Sequence, residues 1–74
     1  MRTIEELKQL ASEALVKIRE KTKTSKSRMA DILGVDRRTY NAFEDPAADA
    51  EPTLSQWITL FETFGMSAYR MFLE

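Results

Sequence analysis

The chain has 74 residues, with 11 Lys and Arg against 12 Asp and Glu, so it is the size of one small domain with a formal net charge of −1. Its 43% apolar content, with only two Gly and two Pro, is enough for a core and excludes a disordered or low-complexity chain. The lack of Cys and His removes disulfides, the common zinc ligand sets, imidazole general-base catalysis and His-activated nucleophiles, so no enzyme and no cofactor is expected.

No apolar run approaches the roughly 20 residues that span a bilayer. Residues 1–10 lack the apolar stretch of a secretory signal, so the expectation is a cytoplasmic protein. Charge is unevenly placed. Residues 17–40 hold Lys17, Arg19, Lys21, Lys23, Lys26, Arg28, Arg37 and Arg38 against Glu20, Asp31 and Asp36, a net of +5. Residues 41–74 hold Arg70 against Glu44, Asp45, Asp49, Glu51, Glu62 and Glu74, a net of −5. A charge run is most often just a solvated face, and motifs are needed to read it as more.

The spacing predicts five helices and no strand. Thr3 and Glu6 form a capping-box pattern ahead of Leu7, Leu10, Ala11, Ala14, Leu15 and Ile18, an apolar stripe running to about Lys21. Ser25 is placed to cap a second helix through Leu33 with Met29, Ala30, Ile32 and Leu33 inward, and Gly34 supplies its left-handed exit. Asp36 caps a third helix to Glu44, with Tyr40 and Phe43 inward and Arg37, Arg38 and Asn41 outward.

Residues 45–52, bracketed by Pro46 and Pro52, read as a loop. Thr53 caps a fourth helix whose Leu54, Trp57, Ile58, Leu60, Phe61 and Phe64 spread over an arc wider than one core-facing stripe. These rings recur at helical spacing without interleaved cations, so they read as packing, not as a stacking platform for bases. Gly65 ends that helix and Ser67 is expected to cap a short fifth one.

Two short helices joined by a Gly-containing turn, with basic and amide side chains on the second, make the helix-turn-helix pattern. More residues sharpen it: Ser25 to Ala30, Gly34 to Tyr40, Phe43-Glu44, Pro52-Thr53-Leu54 and Phe64-Gly65-Met66-Ser67. In this order and spacing the chain resembles the lambda repressor and Cro family of helix-turn-helix domains, the xenobiotic-response-element type, over about residues 14–73.

The resemblance implies an all-α, five-helix lambda-repressor-like domain with an extended first helix, filling residues 1–74. The helix-turn-helix would occupy about 25–44, with a loop at 45–52 and helices four and five over 53–74. It implies a transcriptional regulator, a repressor by expectation, that binds double-stranded DNA. By position, Arg37, Arg38, Asn41 and Ala42 would read bases, and Lys26, Ser27, Arg28 and Thr39 would contact phosphate. Arg19 and Glu44 would form a structural ion pair.

Lys23-Thr24 stands where the family writes Gly-Leu, and Pro46 where it writes Gly. Tyr40 replaces an aliphatic core residue, so a buried ring with its hydroxyl at the edge is expected over a phosphate contact. Met66, Tyr69, Met71, Phe72 and Leu73 crowd one small helix, which suggests a homodimer interface on an inverted-repeat site, unless Leu7 and Leu10 of the first helix cover them. The alternative function is a protein-interaction module on the same scaffold, antitoxin-like or antirepressor-like, using helices four and five and the acidic loop to hold a protein partner.

Overall fold

A computed structural model describes residues 3–73, except for the side chains of residues 71 and 72. It has five α-helices, α1 (Ile4–Lys21), α2 (Lys26–Leu33), α3 (Arg37–Phe43), α4 (Leu54–Phe64) and α5 (Met66–Leu73), and no strand among the described residues. No helix among these residues is long and apolar enough to cross a membrane.

Local chemistry sets the helix starts. Thr3, Ser25, Asp36 and Thr53 each turn an oxygen onto the backbone N–H three residues on, satisfying a donor that has no partner inside its own helix. The full reciprocal box is formed at α4, where Gln56 Oε1 accepts the Thr53 N–H at 2.8 Å. At α1 only the Thr3 half is made among the described residues.

The helix ends follow from backbone conformation. Gly34, at φ 71°, lets the Val35 N–H reach the Ala30 carbonyl at 3.0 Å and close α2. The same closure ends α1, but there Lys23 holds the left-handed conformation, at φ 54°. Glu44 is the C-cap of α3 and not its last helical residue. The expected Ser67 cap is absent, because α5 begins at Met66. Gly65, at φ 79° and ψ −163°, separates α4 from α5 in one residue, and its carbonyl accepts from Ala68 N–H. That conformation is essentially restricted to glycine.

The core gathers Leu15 and Ile18 from α1, Met29, Ala30 and Leu33 from α2, Tyr40 and Phe43 from α3, Leu60 from α4 and Ala68 from α5. Ile32, Val35, Trp57, Phe61 and Phe64 close around it, with Phe61 edge-on to Tyr69 at 5.4 Å. Along the chain α2 packs on α3 and α4, α4 on α5, and α5 on α1.

Three stripe residues expected inside lie outside: Leu7 is 54% exposed, and Leu54 and Ile58 are exposed as well. Periodicity identifies the apolar face of a helix but not whether a neighbour reaches it. The buried residues of α1 begin only at Ser12, itself polar, and the turns before it bury no side chain.

Candidate nucleic-acid interface

The α2–α3 pair is positioned from behind by polar contacts to the rest of the chain. Gln56, whose oxygen caps α4, donates its Nε2 to the Leu33 carbonyl at 3.2 Å. One amide thereby satisfies the last turn of α2 and locks the start of α4 against it. Ser12 Oγ donates to the Phe43 carbonyl at 3.1 Å in a buried contact from α1 to the end of α3. A seven-residue helix has few internal hydrogen bonds, so such outside partners hold much of its backbone.

The strongest of these ties centres on Glu44. Arg19 Nε donates to Glu44 Oε2 at 2.7 Å and its terminal nitrogen donates to Oε1 at 3.3 Å, a two-pronged pair between largely covered side chains. The Tyr40 hydroxyl donates to the same Oε2 from one helical turn away. The hydrogen bond to Glu44 raises the affinity of Arg19 for its proton, so the guanidinium stays charged. Burial, then the hydrogen bond to Glu44, push the Tyr40 hydroxyl well above its ordinary value, so it remains a donor across the physiological range. Tyr40 is thus a buried ring, and its hydroxyl is engaged on the inner side of α3.

With Tyr40 and Phe43 turned in, Arg37, Arg38 and Asn41 project outward and are exposed, with Ala42 and Thr39 half-buried beside them. On α2, Ser27 and Arg28 are exposed and Lys26 is half-buried. Lys26, Arg28, Arg37 and Arg38 form no ion pair with any described residue. The Thr39 N–H is held by Asp36 Oδ1 at 2.7 Å, and this backbone hydrogen bond lowers the Asp36 pKa. The cap therefore puts a carboxylate at the start of α3, where Arg37 and Arg38 oppose the helix dipole.

Chemically, this face offers two guanidiniums, able to bond the paired acceptors of guanine, and one carboxamide able to bond adenine. At the start of α2, Lys26 and Arg28 sit beside backbone N–H groups, a combination suited to phosphate.

Of the residues expected at a homodimer interface, Met66, Tyr69 and Leu73 are exposed, while the side chains of Met71 and Phe72 lie outside the described residues. α1 packs on α5 without covering these three. The loop acid Asp45 has a local use: its Oδ1 accepts the Ala47 N–H at 2.9 Å and its carbonyl accepts from Ala48.

Sequence reasoning missed the roles of Ser12 and Gln56 and the Tyr40–Glu44 bond. The last was readable from the i, i+4 spacing. Ser12 shares a stripe with Leu15 and Arg19, a weak signal for an inward polar group. Gln56 carried only a capping-box signal. No protein-family model matches the chain, and neither a curated protein nor a solved structure matches it.

Proposed function

We propose that the protein is a sequence-specific DNA-binding regulator of transcription of the lambda repressor and Cro type. In this reading α3 enters the major groove, with Arg37, Arg38 and Asn41 on base edges and Ala42 against them. Lys26, Ser27, Arg28 and Thr39 grip the backbone. One observation carries the reading: three hydrogen-bonding side chains suited to base edges stand exposed on one side of a short helix whose other side is fixed by buried contacts. Lys26 and Arg28 stand at the N-terminus of α2 without an ion pair to any described residue, which is unfavourable by a few tenths of a kcal/mol each, and a bound phosphate reverses that sign.

The protein binds as a homodimer through Met66, Tyr69 and Leu73, so that two copies of α3 read an inverted repeat about one DNA turn apart. Repression follows from occupying a promoter. Selection of bound duplexes from a random-sequence library at moderate salt tests the reading. An inverted-repeat motif is expected, with affinity falling steeply as salt rises. Failure to enrich any motif with folded protein would transfer the assignment to a protein-interaction module, the reading favoured by the exposed apolar surface of α4.

A further inference from the structure

Residues 3–11 include no buried side chain, yet they form two turns of α1 that carry Ile4, Leu7 and Leu10. Ile4 is 84% exposed. Ile4, Leu7, Lys8 and Ala11 face Glu51, Pro52 and Trp57 across an open groove of about 250 Å³. On the α4 side, Leu54 (76% exposed) and Ile58 continue the apolar surface along the stripe that includes Trp57. Two helices with a trough between them make a seat for a third, which would insert apolar side chains at i, i+3 or i+4, and i+7. The volume is below the roughly 300–1,000 Å³ of small-molecule pockets.

Charge selects the occupant. The cation lining the groove, Lys8, already sits 3.7 Å from Asp49. Glu51 lines the groove, Glu5 follows Ile4 on α1, and Glu62 lies one turn beyond Ile58 on α4. A second copy presenting the same groove would bring the same excess of carboxylates, and an anionic membrane or DNA would be repelled by them. A trough beside Val16 and Pro46 carries Glu13 and Lys17, and its other acid, Glu44, is already held by Arg19, so no net charge is left there to select a partner.

We propose that the groove between the first turns of α1 and the start of α4 docks a basic amphipathic helix of another protein. Its apolar anchors fill the trough over Leu7 and Trp57, and its Lys or Arg flanks meet Glu5, Glu51 and Glu62. The assignment is independent of the DNA-binding reading, because none of Arg37, Arg38 and Asn41 lines the groove. It also leaves Met66, Tyr69 and Leu73 open for a second copy.

Trp57 is the only tryptophan in the chain and lines the groove, so its emission reports occupancy. The full chain is titrated with a synthetic helix of about four turns carrying Leu at i, i+4 and i+7 and Lys on both flanks, and with the same peptide carrying Glu for Lys. A saturable emission change is expected with the Lys peptide, with the Glu peptide binding at least about tenfold more weakly. Leu7→Asp, at an exposed position, should abolish binding with circular dichroism unchanged, and Glu51→Lys should narrow the difference between the peptides. No saturable change with the Lys peptide, equal binding of both peptides, or undiminished binding by Leu7→Asp would overturn the proposal. A concentration-dependent change without peptide, lost in Leu7→Asp, would place a second copy in the groove and overturn it too.

Discussion

The two sides of α3 have opposite fates. On the inner side Tyr40, Phe43 and Glu44 are fully committed, to the core, to Ser12 through a backbone carbonyl, and to Arg19. Among the described residues no buried side-chain polar atom lacks a partner. On the outer side Arg37, Arg38 and Asn41 are exposed and form no described ion pair or side-chain hydrogen bond. A helix of seven residues thus has one face committed to the fold and another whose side chains stand exposed. Inner changes should cost folding stability, and outer ones should cost binding alone.

The largest expected effect tests the outer side. Each good bidentate contact to a base discriminates by about 1–3 kcal/mol, so Arg37→Ala with Arg38→Ala should weaken binding to a selected site by 100-fold or more, as an order-of-magnitude figure. Stability should move by no more than about 0.5 kcal/mol, since both side chains are exposed. Fluorescence anisotropy with a selected duplex, beside urea unfolding, measures the two together. Retained site preference would remove these residues from the reading face, and a large stability loss would break the separation of faces.

Glu44→Ala is the inner counterpart. It strands the Arg19 guanidinium and the Tyr40 hydroxyl at once. Removing one partner of a covered charge pair is expensive, and with the Arg19 side chain 20% exposed the loss should be about 2–3 kcal/mol. Glu44→Gln keeps an acceptor and should recover part of it. A loss below about 0.5 kcal/mol in urea unfolding would mean that solvent replaces the contact and that Glu44 does not anchor the helix.

Tyr40→Phe has a smaller effect with a pH signature. Near neutrality the variant should lose about 1 kcal/mol, the usual net worth of one hydrogen bond. The folded-state pKa of Tyr40 is raised above the ordinary 10.0, so the folded state retains a proton that the unfolded chain releases. The Tyr40 contribution is therefore complete below about pH 10 and is lost progressively as pH rises above it. The difference in stability between wild type and Tyr40→Phe should shrink over that interval, while other groups titrating there cancel in the comparison. A difference that stays constant to high pH would show that the hydroxyl is not buried.

What the sequence disclosed divides along similar lines. Caps and helix exits depend on residues one to six apart, so Thr3, Ser25, Gly34, Asp36 and Thr53 were each legible, as was the outward set of α3 once Tyr40 and Phe43 were placed inside. The Ser12 and Gln56 contacts join residues 31 and 23 positions apart, and a small polar side chain gives no sign of such a distant partner. Leu7, Leu54 and Ile58 failed differently. Their spacing correctly marks apolar helix faces, but the number of helices available to cover those faces is a property of the whole packing. Apolar surface left uncovered by so small a set of helices is found there and along α5.

The junction between α1 and α2 offers the smallest test, with the opposite sign. Lys23 occupies the left-handed position of the α1 exit, where its N–H bonds the Glu20 carbonyl at 3.2 Å and the next N–H, of Thr24, bonds the Arg19 carbonyl at 2.9 Å. A side chain in that conformation costs about 1–2 kcal/mol, which glycine avoids, while glycine adds about 0.4–1 kcal/mol of freedom to the unfolded chain. Lys23→Gly should therefore stabilise the protein by about 0.5–1 kcal/mol, read as a higher urea midpoint at unchanged slope. Lys23→Ala keeps the Cβ and should bring no such gain, which separates backbone strain from loss of charge. If Lys23 also meets phosphate, both variants should weaken DNA binding equally while their stabilities diverge. Binding that instead follows stability would show that the tension of the α1 exit is transmitted to the reading face and that the two sides of α3 are not independent.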